Sequence, residues 1–368
     1  MSGGVDSSLT ALILQEQGLQ VVGLSLRLGQ GPDSAWQAGA RVARELGIAH
    51  QVVEATAQFD SQVVKWAIGA FARGRTPNPC ARCNARVKIP LLWQAAQEAG
   101  CEFLATGHYA RLTPKPGGMS LKQGLDRTKS QAYFLARLRP EQLKGLAFPL
   151  GGMTKAQVRE AAAKAGLSAA IKPDSQDACF LPPGGWNEIM AKAGAVKPGS
   201  LVNEAGRVLA QHQGLHRFTI GQRRGLGVAL GVPHYVLALD GRNAQVVVGP
   251  LESLKAHALK ATGAIWHEDP TTQTNLRVRL RYTHPGVGCK VIDPGGLQSP
   301  EADKMAEASR KRRAGSQGQG LLGGTDLIVE FDEPQQAVAP GQLAVFFTED
   351  RVAGSAWITE SIKYSDGG

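Results

Sequence analysis

The chain opens Met1-Ser2-Gly3-Gly4-Val5-Asp6-Ser7-Ser8, two glycines set among hydroxyls and followed directly by a helical pattern. Adjacent glycines let the backbone curl so that successive N–H groups point at one anion, and a helix starting there adds its positive end. Ser7 and Ser8 add hydroxyl donors, and Asp6 is a candidate holder of Mg²⁺ against bound phosphates. No lysine stands where a Walker A loop requires one, so the loop is of another kind.

Sulfur is the second reactive element. The cysteines are Cys80, Cys83, Cys101, Cys179 and Cys289, an odd count that argues against a disulfide framework. Cys80 and Cys83 lie in Gly74-Arg75-Thr76-Pro77-Asn78-Pro79-Cys80-Ala81-Arg82-Cys83-Asn84, where two prolines suggest a rigid loop opening into a helix near Val87. A thiol near a helix N-terminus and beside Arg82 and Arg86 is expected to be acidified, hence nucleophilic. Cys179 stands in a second polar loop, Asp174-Ser175-Gln176-Asp177-Ala178-Cys179-Phe180. By spacing alone, a metal site short of its fourth ligand and ordinary buried thiols remain alternatives. Cys101 and Cys289 carry no companion chemistry and are expected to be inert.

The elements around these residues alternate. Ser7 to Gln17 has helical spacing, and Val21 to Leu26 is an apolar run of the kind buried in parallel sheets. Trp36 to Leu46 gives a helix, Gln51 to Glu54 a strand, and Val64 to Phe71 and Val87 to Ala99 further helices. Phe103 to Thr106 is the next strand. This β-α-β rhythm predicts a parallel sheet covered by helices. A helix from Thr154 to Ala165 carries a Thr N-cap and ends at Gly166. Beyond Pro182 the pattern turns to strands: a hairpin from Tyr235 to Val248 through Asp240-Gly241-Arg242-Asn243, then Leu276 to Tyr282 with a basic outer face, Leu327 to Phe331 and Leu343 to Phe347. The last three suggest a small barrel. Residues 294–324 have the composition of a disordered insertion, with Arg310-Lys311-Arg312-Arg313 inside it.

The 368 residues exceed one ordinary core, so two or three domains are expected. The net charge of +10, from 41 Lys+Arg against 31 Asp+Glu, favours a polyanionic partner. No apolar run reaches membrane-spanning length and no secretory leader pattern is present, so a cytoplasmic location is the expectation.

The ordered strings SGGVDSS, GRTPNPCxxCN, ATGHYAR, TKSQAYFL, DSQDACF, FTIGQRRGLG and FDEPQQAVAPGQ resemble the tRNA-specific 2-thiouridylase family, within the PP-loop ATP pyrophosphatases, over nearly the whole chain. The resemblance implies an α/β PP-loop catalytic domain over residues 1–182, a small β-rich central domain over 183–250 and a C-terminal β-barrel over 251–368. In such folds a hydrophobic strand precedes the loop; none stands before Met1, which implies a start upstream of the chain as given.

The family likeness also implies the chemistry: ATP with Mg²⁺ adenylates the C2 carbonyl of a wobble uridine in tRNAs for Lys, Glu and Gln, and a persulfide then delivers sulfur. Carried over by motif, Cys179 bears the persulfide and Cys83 is its partner thiol. Met1, Ser2, Gly3, Gly4, Val5, Asp6, Ser7, Leu26 and Gly107 would hold ATP. Asn78, Pro79 and Cys80 would meet the target base, with His108 beside the RNA. Lys129, Ser130 and Gln131 would contact tRNA, as would Arg281, Tyr282 and Gln342; Ser130 departs from the family's usual Asp. Sulfur would come from a cysteine desulfurase or a sulfur-relay protein. Cys80, where relatives also carry Asp, opens an alternative: an iron–sulfur cluster on Cys80, Cys83 and Cys179. A second alternative is a tRNA-binding protein with an impaired ATP site. Other PP-loop ligases need neither paired cysteines nor a basic barrel.

Overall fold

A computed structural model describes residues 1–29, 35–171, 178–228, 231–292 and 326–363. The expected insertion, with its basic cluster, and Asp174 to Asp177 lie outside them. The chain divides into two compact units. The first comprises Met1–Ala67, Pro79–Pro183 and Glu349–Val352; the second comprises Ile68–Asn78, Gly184–Thr348 and Ala353–Gly368.

In the first unit the parallel α/β pattern is present. Helix α1 (Val5–Glu16) leads to β1 (Val22–Arg27), α2 (Ala35–Glu45) and β2 (Ala49–Glu54), with β1 and β2 parallel in the register Leu24↔Gln51. A helical stretch follows: α3 (Thr56–Phe59), a wide π-turn, and the start of α4 (Lys65–Ala72). Next come α5 (Pro79–Cys83) and α6 (Ile89–Glu98), joined by a second π-turn at Asn84–Lys88. Strand β3 (Leu104–Ala105) is followed by the hairpin β4 (Ala110–Lys115) and β5 (Gly118–Gln123), then α7 (Ala132–Leu135) and β6 (Leu146–Ala147), which pairs parallel with β3. The hairpin was not evident in the sequence. Arg351 pairs with Lys122 of β5, and Asp350 accepts from Arg111 at 2.6 Å.

Helix α8 (Lys155–Lys164) starts where its residues dictate. Thr154 Oγ1 accepts the Gln157 N–H and Gln157 Oε1 accepts the Thr154 N–H, a reciprocal cap of the kind worth about 1 kcal/mol. Val5 and Leu9 of α1 pack with Val158 and Ala162 of α8, Tyr109 and Leu150 in one apolar cluster. A second cluster joins Ala55, Phe59, Val63, Cys83 and Val87, with Leu26 and Phe180 against it.

The second unit is mainly β and has two cores. After α9 (Gly185–Lys192), the strands β7 (Gly199–Asn203), β8 (Val208–His212), β9 (Tyr235–Asp240) and β10 (Gln245–Gly249) form a sheet in the order β8-β7-β10-β9 around Leu201, Val236, Val246 and Val248. The second core lies within six antiparallel strands: β11 (Ala256–Trp266), β12 (Leu276–Arg279), β13 (Val287–Ile292), β14 (Leu327–Gln335), β15 (Leu343–Thr348) and β16 (Arg351–Ile362). Pairing of β11 with both β14 and β16 closes them into a barrel, which removes the exposed edges an open sheet would present. Strand β12 ends at Arg279, earlier than its alternating pattern predicts. The chain turns where the His284 N–H meets the Arg281 carbonyl at 3.0 Å, so Arg281 and Tyr282 stand in a turn and not on a strand.

Candidate functional site

Gly3 and Gly4 form the curl expected of them. Gly3 has φ +67°, and a Cβ there would lie 2.3 Å from that of Ala38. Gly4 is the N-cap of α1 and offers no side-chain cap, which leaves the helix start without a side-chain acceptor, the arrangement an anion can use. The hydroxyls are more committed than the sequence suggests. Ser8 is fully buried and donates to the Gly4 carbonyl at 2.9 Å, so it is not a phosphate donor. Ser7 Oγ accepts the Ser2 N–H at 3.2 Å and donates to Gly4 O at 3.1 Å, bracing the loop from inside. The Met1 amino group donates to the Leu24 carbonyl of β1, and the Ser25 hydroxyl donates to Met1 O at 2.5 Å.

Asp6, in the first turn of α1, has a carboxylate that is already engaged. Lys155 Nζ lies 2.7 and 2.9 Å from its two oxygens, and the Tyr109 hydroxyl donates to Oδ1 at 2.7 Å. Gly107 sits directly against this residue, since a Cβ on Gly107 would lie 2.8 Å from the Asp6 carbonyl carbon. Neither Lys155 nor Tyr109 was singled out from the sequence.

Both cysteines of the C-x₂-C pair lie in a helix, not in a loop before one. The backbone is helical from Pro79 through Glu98, with five residues taken up by the wide turn. Pro90 supplies the cause: it has no N–H to donate, and its ring would strike the carbonyl of Arg86 in a regular helix. The widening turns the Lys88 N–H toward the Cys83 sulfur. That proline is the one sequence signal that could have marked the irregularity.

The expected acidification of these thiols is overturned. Burial pushes Cys83 up to about 11, and the neighbouring Cys179 and Cys80 push further, against the opposing charge and N–H of Lys88. Cys80 is also pushed up to about 11, by burial first and then by Cys179. Desolvation exceeds the helix-end and cationic effects because Cys83 is packed among Phe59, Val63 and Val87. Cys179 is exposed, and its neighbour Phe180 packs edge-on against Phe59 with ring centroids 4.9 Å apart. Thus Cys80, Cys83 and Cys179 are close enough to feel one another's charge. They do not form a ligand set, because no three His, Cys, Asp or Glu side chains converge as a metal site among the described residues. The residues as arranged do not fit an iron–sulfur cluster. Cys289 is buried in the barrel core and pushed up to about 12, in keeping with an inert thiol.

Lys88 is a third residue missed in the sequence. Its charge bears on Cys80, Cys83, His108 and the Met1 amino group together. Alkylation of Cys83 by iodoacetamide should therefore be slow at pH 7 and accelerate about tenfold per pH unit toward pH 10, as the thiolate fraction rises. Lys88→Met should slow it further at each pH. Peptide mass spectrometry resolves Cys83 from Cys80 and Cys179, and a rate already at its plateau by pH 8 would contradict the burial argument.

His108 is buried and held low, to about 3, by desolvation and then by Lys88; its Nδ1 pairs with Thr106 Oγ1 at 2.8 Å. It is neutral at physiological pH. In the Lys129-Ser130-Gln131 tripeptide, Ser130 Oγ accepts the Gly124 N–H at 3.1 Å and Gln131 Oε1 accepts the Tyr109 N–H at 3.1 Å. Their polar atoms brace the fold, and Lys129 is the exposed member. Within the second unit, the Thr76 N–H donates to Pro340 O at 2.8 Å and Gln342 Nε2 to Thr76 O at 3.3 Å, anchoring the strand of chain that leads into buried Asn78.

Arginines surround the cysteine helix. Arg82 lies over the Trp66 ring at 4.7 Å and donates to Gln62 O. Burial, with mutual repulsion from Arg86, lowers it to about 10. Arg137 is lowered likewise to about 10 by burial and by Arg86, Arg82 and Arg139. Arg82 and Arg137 remain cationic at neutral pH, a concentration of positive potential that a polyanion would relieve.

A parallel α/β domain with a glycine-rich loop at a helix start is followed by two β domains. Three family models match in order: "tRNA methyl transferase HUP domain" over residues 1–183, "tRNA methyl transferase PRC-barrel domain" over 187–250 and "Aminomethyltransferase beta-barrel domain" over 300–358. The chain is 41% identical to the tRNA-specific 2-thiouridylase MnmA of Syntrophotalea carbinolica, covering 97% of each chain. It is 39% identical to the protein of that name from Geobacter metallireducens, over 97% of this chain and 95% of the other. A third, from Maricaulis maris, is 38% identical over 100% of this chain and 88% of its own. The chain belongs to the tRNA-specific 2-thiouridylase family.

Proposed function

We propose that this chain uses ATP to activate the C2 carbonyl of a tRNA wobble uridine and replaces its oxygen with sulfur. The observation that carries the proposal is the pairing, within one compact unit, of a glycine-rich loop at a helix start, Ser2–Ser7, with a buried thiol, Cys83, that feels the neighbouring exposed Cys179.

The uridine O2 attacks the α-phosphorus, the bond to the bridging oxygen breaks, and pyrophosphate leaves with that electron pair. The terminal sulfur of a Cys179 persulfide then attacks C2, and AMP departs with the former carbonyl oxygen. Cys83 thiolate attacks the Cys179 sulfur, which breaks the S–S bond and leaves 2-thiouridine and a Cys83–Cys179 disulfide. An external thiol reductant returns the pair to the reduced state. The exposure of Cys179 suits loading by a cysteine desulfurase or a sulfur-relay protein, and the burial of Cys83 suits a resolving thiol kept from bulk solvent. The first-turn N–H groups of α1 would take the phosphates, with Gly107 and Leu26 beside the nucleotide. Mg²⁺ would be held by Asp6 once Lys155 has parted from it, and would supply charge neutralisation at the phosphates.

Incubating the chain with ATP, a persulfide donor and unmodified tRNA, followed by mass analysis of the wobble nucleoside, tests the proposal. The expected product is 2-thiouridine with stoichiometric AMP and pyrophosphate; adenylation without sulfur in the base would refute it.

The arginines give a second test. Arg82→Gln and Arg137→Gln should each weaken binding to every tRNA alike and reduce the slope of log affinity against log salt by about 1, as expected for a lost phosphate contact. Unchanged slopes in salt titrations would place the RNA elsewhere. No described helix is long and apolar enough to cross a membrane.

A further inference from the structure

The loop at Ser2–Ser8 contains no lysine, yet a cleavage that expels pyrophosphate develops negative charge needing a cation. We infer that Lys155 is that cation: a positioning residue for the leaving pyrophosphate, parked on Asp6 until the phosphates arrive. The inference rests on the Ser2–Ser7 loop being the ATP cradle.

Four observations converge on it. Lys155 Nζ bridges both oxygens of Asp6 at 2.7 and 2.9 Å, and Asp6 stands in the first turn of α1, whose N–H groups form the cradle. Lys155 is fixed from behind, because its own N–H donates to Asp126 Oδ2 at 3.1 Å and it occupies the first position of the capped helix α8. Its stem runs beside Tyr109, with Nζ 5.5 Å from the ring centroid, and Tyr109 itself donates to Asp6. The Lys155 side chain is 13% exposed, whereas that of Asp6 is 34% exposed, so the carboxylate, which stands in the first turn of α1, is the more accessible partner of the pair.

A purely structural ion pair pinning α8 to α1 is the competing explanation. It is the weaker one, since Val5, Leu9, Val158 and Ala162 already join those helices through apolar packing. A phosphate chain entering over α1 would offer Lys155 several oxygens in place of one carboxylate. Lys155 then turns from Asp6 to the β-phosphate, and the freed carboxylate faces the cation that accompanies the nucleotide. The ammonium also remains near the departing group after the P–O bond breaks.

The test uses the full chain and two probes, inorganic pyrophosphate and AMP, in equilibrium binding with Mg²⁺ present. Lys155→Gln should weaken pyrophosphate about 10- to 100-fold, the worth of one charge-assisted contact, and change AMP less than about twofold. Lys155→Arg, which keeps the charge, should recover most of the pyrophosphate affinity. Equal losses for both probes, or none for pyrophosphate, would overturn the assignment. Should Lys155→Gln fail to fold, amine acylation of the wild-type chain decides: saturating pyrophosphate should protect Lys155 from labelling and AMP should not, and equal labelling would overturn it. A wild-type chain that binds neither probe would remove the nucleotide cradle itself, a result distinct from either.

Discussion

Cys179→Ser should release pyrophosphate from ATP and tRNA at close to the wild-type rate in a single turnover and leave AMP joined to the uridine, while 2-thiouridine falls by at least roughly a thousandfold. A serine oxygen cannot carry the persulfide, and effects of this size are usual when an enzyme loses its nucleophile. The adenylation half survives because Cys179, exposed in a turn tethered by Phe180 to Phe59, takes no part in the Asp6, Tyr109 and Lys155 hydrogen bonds that brace the loop. Cys83→Ser should behave differently. It should accept sulfur on Cys179 yet stall with the base joined to that residue, an adduct visible by intact mass. Retained thiolation in Cys179→Ser would refute the assigned role, and a stalled adduct in neither variant would refute the order of steps.

The second large effect is expected at Gly3. Gly3→Ala places a Cβ 2.3 Å from Ala38 Cβ and 2.6 Å from its carbonyl carbon, at a φ of +67° that L side chains rarely adopt. Two of the atoms struck are backbone, so trimming Ala38 to glycine should not rescue the variant. A cost of about 2–4 kcal/mol is expected from the strain and the overlap together. It would fall on the turn that aims the α1 N–H groups. ATP affinity should drop at least about a hundredfold by calorimetry, accompanied by a lowered melting temperature. Near-wild-type ATP binding would mean that the curl of this loop is not what holds the nucleotide.

The fold was legible in the sequence where one element suffices to specify itself. The Thr154 cap, the apolar run of β1 and the hairpin around Asp240 are written in neighbouring residues, and each stands where its pattern predicts. The curl of the glycine-rich loop was legible for the same reason. What stayed hidden depends on distant partners. Lys155 and Tyr109 reach Asp6 across 149 and 103 residues of chain, and no local spacing announces such a meeting. The thiols were misjudged because a helix start and two arginines are visible in sequence, whereas burial by Phe59, Val63 and Val87 is set only by packing. The end of β12 was overrun because Leu280 and Tyr282 continue an alternation that the turn at His284 interrupts. Ser130 and Gln131 resemble a contact motif in sequence, yet their polar atoms bind the chain's own backbone.

On the proposed mechanism, the burial of Cys83 has a consequence for how the protein recovers between rounds. Once Cys83 and Cys179 are joined, an incoming thiol can reach only the exposed Cys179 sulfur, and must expel Cys83 as the leaving group. A thiol whose pKa is pushed up to about 11 leaves reluctantly, since expulsion slows as the leaving thiol becomes more basic. Restoration of the dithiol would then be slowed, and under scarce reductant the protein would accumulate in its oxidised form. The rate of tRNA modification would follow the supply of reducing thiols before it followed the supply of ATP.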